Sequence, residues 1–390
     1  MAELGDQGAG AVSSAEADAK GMGLNGPAPR LGSAGHSAPA PATIPYVPRE
    51  PGRSMPIYGA LDLGTNNCRL LVARPSRRGF QVIDAFSKII RLGEGVSKSG
   101  VLSEAAMART IEALKICSDK MARREVGRSR LIATEACRVA KNAPEFIAAA
   151  RRETGLDIEI ITRETEARLA VAGCASLIDR TCDWALVFDI GGGSSELIWL
   201  DLRRLRTSKR QTLTDRMRVQ SAIVAWTSLA VGVVTLAEQF GGRHVDKAIF
   251  EDMVGHVVAR LEPFEQRYRI AESVAGGRTH LLGTSGTVTT LAGVHLGLES
   301  YSRRKVDGCW LTEGEVRDVS GRLLEMSFEA RSREPCIGPD RADLVLGGCA
   351  ILEAMLRLWP CERLRVADRG LREGILASLM AEDTAERRRS

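Results

Sequence analysis

Apolar residues in this chain fall into two patterns. Short dense runs at 58–61, 70–73, 130–134, 185–188, 197–200 and 280–282 are too short for buried helices and read as buried strands. Longer segments with helical spacing lie between them. Ser103 is placed to cap a helix from Glu104 to about Arg124, with Glu104 in its first turn. Further helices are expected from Pro144, through Glu166 to about Ala175, over 246–261 and 343–358, and from about 370 to 381. Residues 57–73, 80–90 and 158–162 complete the strands, with Arg91–Gly95 as a turn. Strand, strand, strand, helix, strand, helix occurs once in each half, which predicts an α/β architecture with mixed sheets.

The expected division is a first domain over 57–182 and a second over 183–384, whose last helices return towards the first. Residues 1–56 are rich in Ala, Gly, Pro and Ser and lack the apolar core of a secretion signal, so they are expected to be disordered. The charge-free run Ser221–Ala237 is slightly short for a membrane span and carries Ser, Thr and Gly. It reads as a buried strand leading into a helix. No membrane association is expected.

With 44% hydrophobic residues the chain can build two cores. A net charge of +5 is too slight to suggest nucleic acid, and only weakly favours anionic ligands. The nine cysteines are odd in number and contain no C-x-x-C pair, which fits reduced thiols in a cytoplasmic protein; Cys137, Cys174 and Cys349 sit in apolar surroundings. The five histidines have no zinc spacing.

Two segments share one plan. Tyr58-Gly59-Ala60-Leu61-Asp62-Leu63-Gly64-Thr65-Asn66-Asn67 precedes an apolar run, as does Ala185-Leu186-Val187-Phe188-Asp189-Ile190-Gly191-Gly192-Gly193-Ser194-Ser195-Glu196. Each is a strand, an aspartate, a glycine-rich turn and a second strand. The glycines are expected to give the turns left-handed backbone angles, converging N–H groups on an anion. A third element, Gly283-Thr284-Ser285-Gly286-Thr287, lies where a strand meets a helix, and a helix N-terminus attracts anions. None of the three ends in Gly-Lys-Ser/Thr, so this is not a P-loop protein.

Asp62, Asp189 and Glu196 would stand beside loops meant for phosphate, where like charges repel. A divalent cation, Mg2+ above all, resolves the conflict, with Asp62 and Asp189 as its ligands. Hydrolysis also needs a base for water. Glu164 and Glu166 open a helix just after a strand end, and spacing does not choose between them. Both also suit the positive end of that helix.

Together these segments resemble the exopolyphosphatase/guanosine pentaphosphate phosphohydrolase family, in its short two-domain form, from Tyr58 to about Ala377. Asp62–Asn66, Glu166-Ala167-Arg168, Asp189–Ser194 with Glu196, Gly283–Thr287 and Asp368–Gly374 carry the likeness. The resemblance implies two ribonuclease H-like domains of the acetate and sugar kinase, heat-shock chaperone and actin superfamily, with the active site in the cleft between them. It implies that Glu166 activates water and that Asp189 and Glu196 act through magnesium. It places Arg138 near the substrate phosphates, with Gly64, Thr65, Asn66, Asn67, Gly191, Gly192, Gly193, Ser194, Gly283, Ser285, Gly286 and Thr287 around them.

The implied reaction is release of terminal phosphate from polyphosphate or guanosine pentaphosphate. The alternatives are an ATP-dependent small-molecule kinase of the same superfamily, disfavoured by Glu166-Ala167-Arg168, and a non-enzymatic actin-like nucleotide sensor. Longer family members carry further helical domains that help to hold extended polyphosphate. The basic stretch 203–218, with seven basic side chains and one acidic, is expected on an exposed hairpin. That stretch and Arg303-Arg304-Lys305 could partly replace those domains, although a solvated basic surface is the plainer reading. A homodimer is the commonest symmetric assembly.

Overall fold

The computed structural model describes residues 56–77, 79–205 and 213–389. The disorder expected of residues 1–56 concerns, but for Pro56, residues outside this set. The first lobe is built on β1 (Tyr58–Leu63), β2 (Asn67–Ser76) and β3 (Gly79–Ile89), an antiparallel meander. It continues with α1 (Glu104–Arg123), β4 (Arg128–Ala133), α2 (Ala143–Thr154), β5 (Glu159–Ile160) and α3 (Arg163–Cys174). The Ser103 hydroxyl accepts the Ala106 N–H at the start of α1. β4 runs parallel to β1 and β5 parallel to β4, giving the order β3-β2-β1-β4-β5.

The second lobe comprises β6 (Trp184–Ile190), β7 (Ser195–Asp201), β8 (Ile223–Leu229), α4 (Val233–Phe240), α5 (Lys247–Tyr268) and β9 (Thr279–Gly283). Then come α6 (Gly286–His295), β10 (Trp310–Leu311), α7 (Glu313–Glu325), α8 (Val345–Leu358), β11 (Leu364–Val366) and α9 (Leu371–Arg389). Its sheet order, β8-β7-β6-β9-β11-β10, repeats the first with one added edge strand. The chain is two copies of one strand plan.

α3 carries Glu166 and is buried almost all round, as befits a helix held between layers. Ala167 and Val171, four residues apart on one face, pack against Ala185, Val187 and Ile198 of the second sheet. On another face Leu169 joins Tyr58, Ala60, Leu71 and Ile132 of the first sheet together with Leu371, Ile375, Leu376 and Leu379 of α9. Each such aliphatic side chain contributes roughly 1.5–3 kcal/mol on burial. The two helices touch through backbone: a Cβ on Gly173 would lie 1.8 Å from the Gly370 carbonyl oxygen, and one on Gly374 1.9 Å from that of Leu169.

Several local expectations need correction. Instead of an exposed hairpin, 203–218 holds a 3-10 turn at Leu202–Leu205 and a helix at Leu213–Arg218, with 206–212 outside the described residues. Asp201 explains the turn, since its carboxylate accepts the Arg203 backbone N–H at 3.2 Å and the Arg203 guanidinium at 2.8 and 3.0 Å. The helix expected over 246–261 continues through Pro263 to Tyr268. An interior proline costs about 3 kcal/mol, offset here by burial of Phe264 and the Trp359 N–H donated to Glu265 at 2.6 Å. The strand expected over 158–162 pairs only at Glu159–Ile160. The run Ser221–Ala237 does form a strand, β8, leading into α4. Among the described residues no helix is long and apolar enough to cross a membrane. All nine cysteines are free, and eight of them are buried.

Candidate active site

The two Asp-Gly hairpins are built to the same register. Asp62 pairs across the ladder with Arg69, and Asp189 pairs with Glu196. Each turn has four residues, closed by Gly64 N–H to the Asn67 carbonyl and Gly191 N–H to the Ser194 carbonyl, both at 2.9 Å. One scaffold thus presents opposite charges, Arg69 from the first lobe and Glu196 from the second.

None of Gly64, Gly191, Gly192 and Gly193 has a left-handed φ, contrary to the sequence-based expectation. Gly191, Gly192 and Gly193 are needed for space. A Cβ on Gly191 would meet the Ser194 carbonyl oxygen at 2.8 Å, one on Gly192 the Thr65 Cβ at 3.0 Å, and one on Gly193 the Thr65 Oγ1 at 2.9 Å. The two turns are therefore in direct contact, which a side chain on either glycine would disturb.

One cleft takes in both turns and the start of α6. Asp62, Gly64, Thr65, Asn66 and Asn67 line it from the first lobe, with Glu166 on α3. Asp189, Gly191, Gly192, Gly193, Ser194 and Glu196 face them from the second lobe, and Ser285, Gly286 and Thr287 close one end. Ser285 caps α6 through the Val288 N–H. Gly283 and Arg138 do not line the cleft. Gly283 is a packing residue, because a Cβ there would come within 2.6 Å of Val288 and 2.7 Å of Phe188.

Four carboxyl groups of the cleft, those of Asp62, Glu166, Asp189 and Glu196, are held above their ordinary proton affinity. Burial, then Glu196, pushes Asp189 up to about 7. Burial raises Asp62 against the pull of Arg69 and Arg372. Burial also raises Glu196, opposed by the Ser194 and Ser228 hydroxyls, each donating to it at 2.8 Å. Glu166 stands well above the usual carboxylate range through burial and the nearby Glu196, with Arg138 drawing it back. Desolvated carboxyls that raise one another in this way are a common feature of functional sites.

Arg138 belongs to a network behind Glu166. It donates to Glu166 at 2.8 Å, to Glu135 at 3.0 Å and to the Ile161 carbonyl at 2.8 Å. Arg163 donates to both oxygens of Glu135, at 2.6 and 3.2 Å. Burial would lower the Arg138 pKa, but Glu166 and Glu135 raise it. Arg138 therefore fixes the Glu166 carboxylate, and Glu135 fixes Arg138.

Sequence reasoning missed Arg69, Glu135 and Arg341, all of which line the cleft. Among the described residues the guanidinium groups of Arg69, Arg341 and Arg372, which lies behind the other two, make no hydrogen bond or ion pair. Burial and Arg69 depress Arg341; burial depresses Arg372, with Arg69 adding to it. Guanidiniums that lack a direct hydrogen-bonded partner and repel one another leave N–H donors available to an anion. Aligning the two hairpins would have found Arg69, which occupies the place of Glu196. Glu135 sits three residues before Arg138, a helical pairing distance. Arg341 carries no local signal.

A family model described as the Ppx/GppA phosphatase family matches residues 71–383. Guanosine-5'-triphosphate,3'-diphosphate pyrophosphatases of Aeromonas hydrophila and Aeromonas salmonicida are each 28% identical over 326 residues, covering 83% of this chain. The chain spans 60% of the length of those relatives. The crystal structure of the Aquifex aeolicus Ppx/GppA family member matches with a TM-score of 0.65 at 28% identity, covering 85% of this chain and 99% of that one. An exopolyphosphatase from Cytophaga hutchinsonii, 23% identical, shares the fold with a TM-score of 0.73, over 84% of this chain and 98% of its own.

Proposed function

The chain belongs to the Ppx/GppA phosphatase family and has its two-domain α/β fold, and on that premise we propose that it hydrolyses a terminal phosphoanhydride. The substrate is inorganic polyphosphate or guanosine pentaphosphate, cleaved at the terminal phosphate of the chain or of the 5′ position. The observation that carries this reading is convergence. Both Asp-Gly turns, a capped helix start, two unpaired arginines and Glu166 share one cleft.

The residues divide the work by position. The turns at 64–67 and 191–194 and the start of α6 hold the terminal phosphoryl group through backbone N–H groups. Arg69 and Arg341 receive the phosphate on the far side of the bond that breaks, where negative charge develops on the leaving oxygen. Glu166 accepts the proton of the attacking water. Its raised proton affinity suits a base working near neutral pH, and Arg138 on one carboxylate oxygen leaves the other for water.

The donor set also fits a hard divalent cation such as Mg2+. Asp62, Asp189 and Glu196 supply carboxylate oxygens, and the buried side-chain oxygens of Asn66 and Asn67 have no hydrogen-bond partner among the described residues. Among the described residues no group of three or more His, Cys, Asp or Glu is spaced to hold a metal alone, so phosphate oxygens and water would complete the shell. A bound ion would neutralise charge on the phosphates.

Phosphate release by the purified protein with magnesium tests this, using polyphosphates of defined length, guanosine pentaphosphate and ATP. Release from polyphosphate or the pentaphosphate is expected. In Glu166→Gln it should fall by about a thousandfold or more while substrate binding persists. No release from any substrate would overturn the reading, and so would equal loss of binding and turnover. ATP consumption that requires an acceptor other than water would indicate the kinase alternative.

A further inference from the structure

Two carboxylates of the second lobe reach across to segment 91–97 of the first. Arg91 donates to both oxygens of Asp343, at 3.1 and 3.2 Å, and to the Asp340 carbonyl at 3.2 Å. The Gly95 N–H donates to one oxygen of Glu238 at 2.7 Å, and the Ser97 hydroxyl donates to the other. Arg91 has φ 47°, which a non-glycine residue rarely adopts, so the segment leaves β3 in a set direction.

Each end of this bridge is tied through backbone to one of the turns. Ile90 and Arg91 N–H groups donate to the Asn66 carbonyl at 2.9 and 3.1 Å, and Gly93 N–H donates to the Thr65 carbonyl at 2.9 Å. On the other side α4, which carries Glu238, starts on the second turn. Val233 N–H donates to the Gly191 carbonyl at 3.0 Å, and Val234 N–H to that of Gly192 at 2.8 Å. A Cβ on Gly93 would lie 2.3 Å from Thr65 Cγ2, and one on Gly232 2.4 Å from the Gly192 carbonyl. Gly93, Thr65, Gly192 and Gly232 therefore stack with no room for a methyl group, and Glu238 ties the outer members together.

We propose that Glu238, supported by the Arg91–Asp343 pair, is a strut that sets the separation of the two turns. Glu238 is a positioning residue. It does not line the catalytic cleft, and acts through segment 91–97 and α4. The contact between Thr65 and Gly192 is van der Waals and can slide, whereas a carboxylate bonded to an N–H and a hydroxyl is directional. A clamp with two jaws needs that constraint, since a displacement of about 1 Å can cost 100-fold in rate. The inference rests on the assignment of the turns to phosphate. Half-exposed ion pairs add little stability, so the strut is read from positions rather than from melting.

The test uses the full chain and two readouts. Hydrogen exchange without substrate follows the backbone amides of 60–70 and 188–196, and steady-state kinetics follow kcat and KM on the best phosphoanhydride. Glu238→Ala should speed exchange in both turns by roughly tenfold, the loss of one charge-assisted hydrogen bond. It should lower kcat by about 10- to 100-fold. Glu238→Gln, which keeps an acceptor for Gly95 N–H, should recover most of both. Arg91→Ala and Asp343→Ala should give the same pattern, with the double variant no worse than the singles, and they stand in if Glu238→Ala does not fold. Faster exchange confined to 93–99 and 233–241, with both turns unchanged, overturns the strut whatever the activity. A wild-type protein that releases no phosphate overturns the functional reading instead, and exchange alone then decides the strut.

Discussion

Asp189 lies at the end of β6 with Glu196 opposite it on β7, and its carboxyl is held up at about 7 by burial and by that neighbour. Replacing it by asparagine removes the titration and keeps the shape. Between the ordinary value of 3.8 and about 7, the folded protein keeps a proton that the unfolded chain has released. A raised carboxyl of this kind contributes its stability in full below the lower value. That contribution falls as pH rises through the window and is gone above the upper one. At about 1.4 kcal/mol per tenfold change in proton affinity, the loss is on the order of 4 kcal/mol.

Ligand-free Asp189→Asn should therefore gain on the wild type as pH rises. Between pH 5 and pH 8 the gap in unfolding free energy should widen by about 3 kcal/mol, most of the full window. Asp62, Glu166 and Glu196 are displaced in the same direction and steepen both curves, so the comparison isolates the share of Asp189. Urea unfolding at four pH values measures the gap. Activity should move the opposite way, with phosphate release abolished in the more stable protein. Magnesium should raise the stability of the wild type at pH 8 and leave the variant unchanged, because a cation binds the ionised form. A gap that does not change with pH, or a variant weaker than wild type at pH 8, would show that Asp189 is already ionised and satisfied. The electrostatic account of the cleft would then be wrong.

Two further outcomes follow from the same geometry. Arg341→Ala should lower kcat and kcat/KM by about tenfold or more, since it removes a charged hydrogen-bond donor from the phosphate on which negative charge develops; steady-state kinetics decide, and an unchanged kcat would remove Arg341 from that role. Gly374→Ala should lower stability by about 1–3 kcal/mol or more, because the new methyl meets the Leu169 carbonyl of α3. It should also lower kcat by shifting Glu166, as thermal melting paired with turnover will show.

The strand plan was legible because period and turn chemistry agree at 58–76 and 184–201, and both hairpins pair in the register that their aspartates suggest. The reason for their glycines was not. A turn sequence reports which angles are allowed, but the demand here is room for the other turn, which lies more than a hundred residues away in sequence. Arg341 was invisible for the same cause, since only the packing of the segment before α8 carries it into the cleft. The resemblance placed Arg138 beside the substrate phosphates, but its guanidinium is taken up by Glu166, Glu135 and the Ile161 carbonyl, partners that the sequence did not reveal. Local sequence does not tell whether a guanidinium will meet a ligand or a carboxylate from a helix further along the chain. The helix through Pro263 was misread because propensity ends a helix where tertiary burial continues it.

The contact of α9 with α3 and β1 has a consequence for how the protein is made. Leu371, Ile375, Leu376 and Leu379 cover a face of the first lobe that includes Tyr58, Ala60 and Leu71, some three hundred residues earlier. On the ribosome that face is synthesised early, and beyond the partial cover given by Leu169 of α3 it waits for α9 to emerge. At about 5–20 residues per second the wait is roughly 15–60 seconds. The first lobe is therefore an unfinished body until α9 has been made. A message cut short before residue 371 would release a chain with that apolar face open, and aggregation rather than a half-active enzyme is its expected fate.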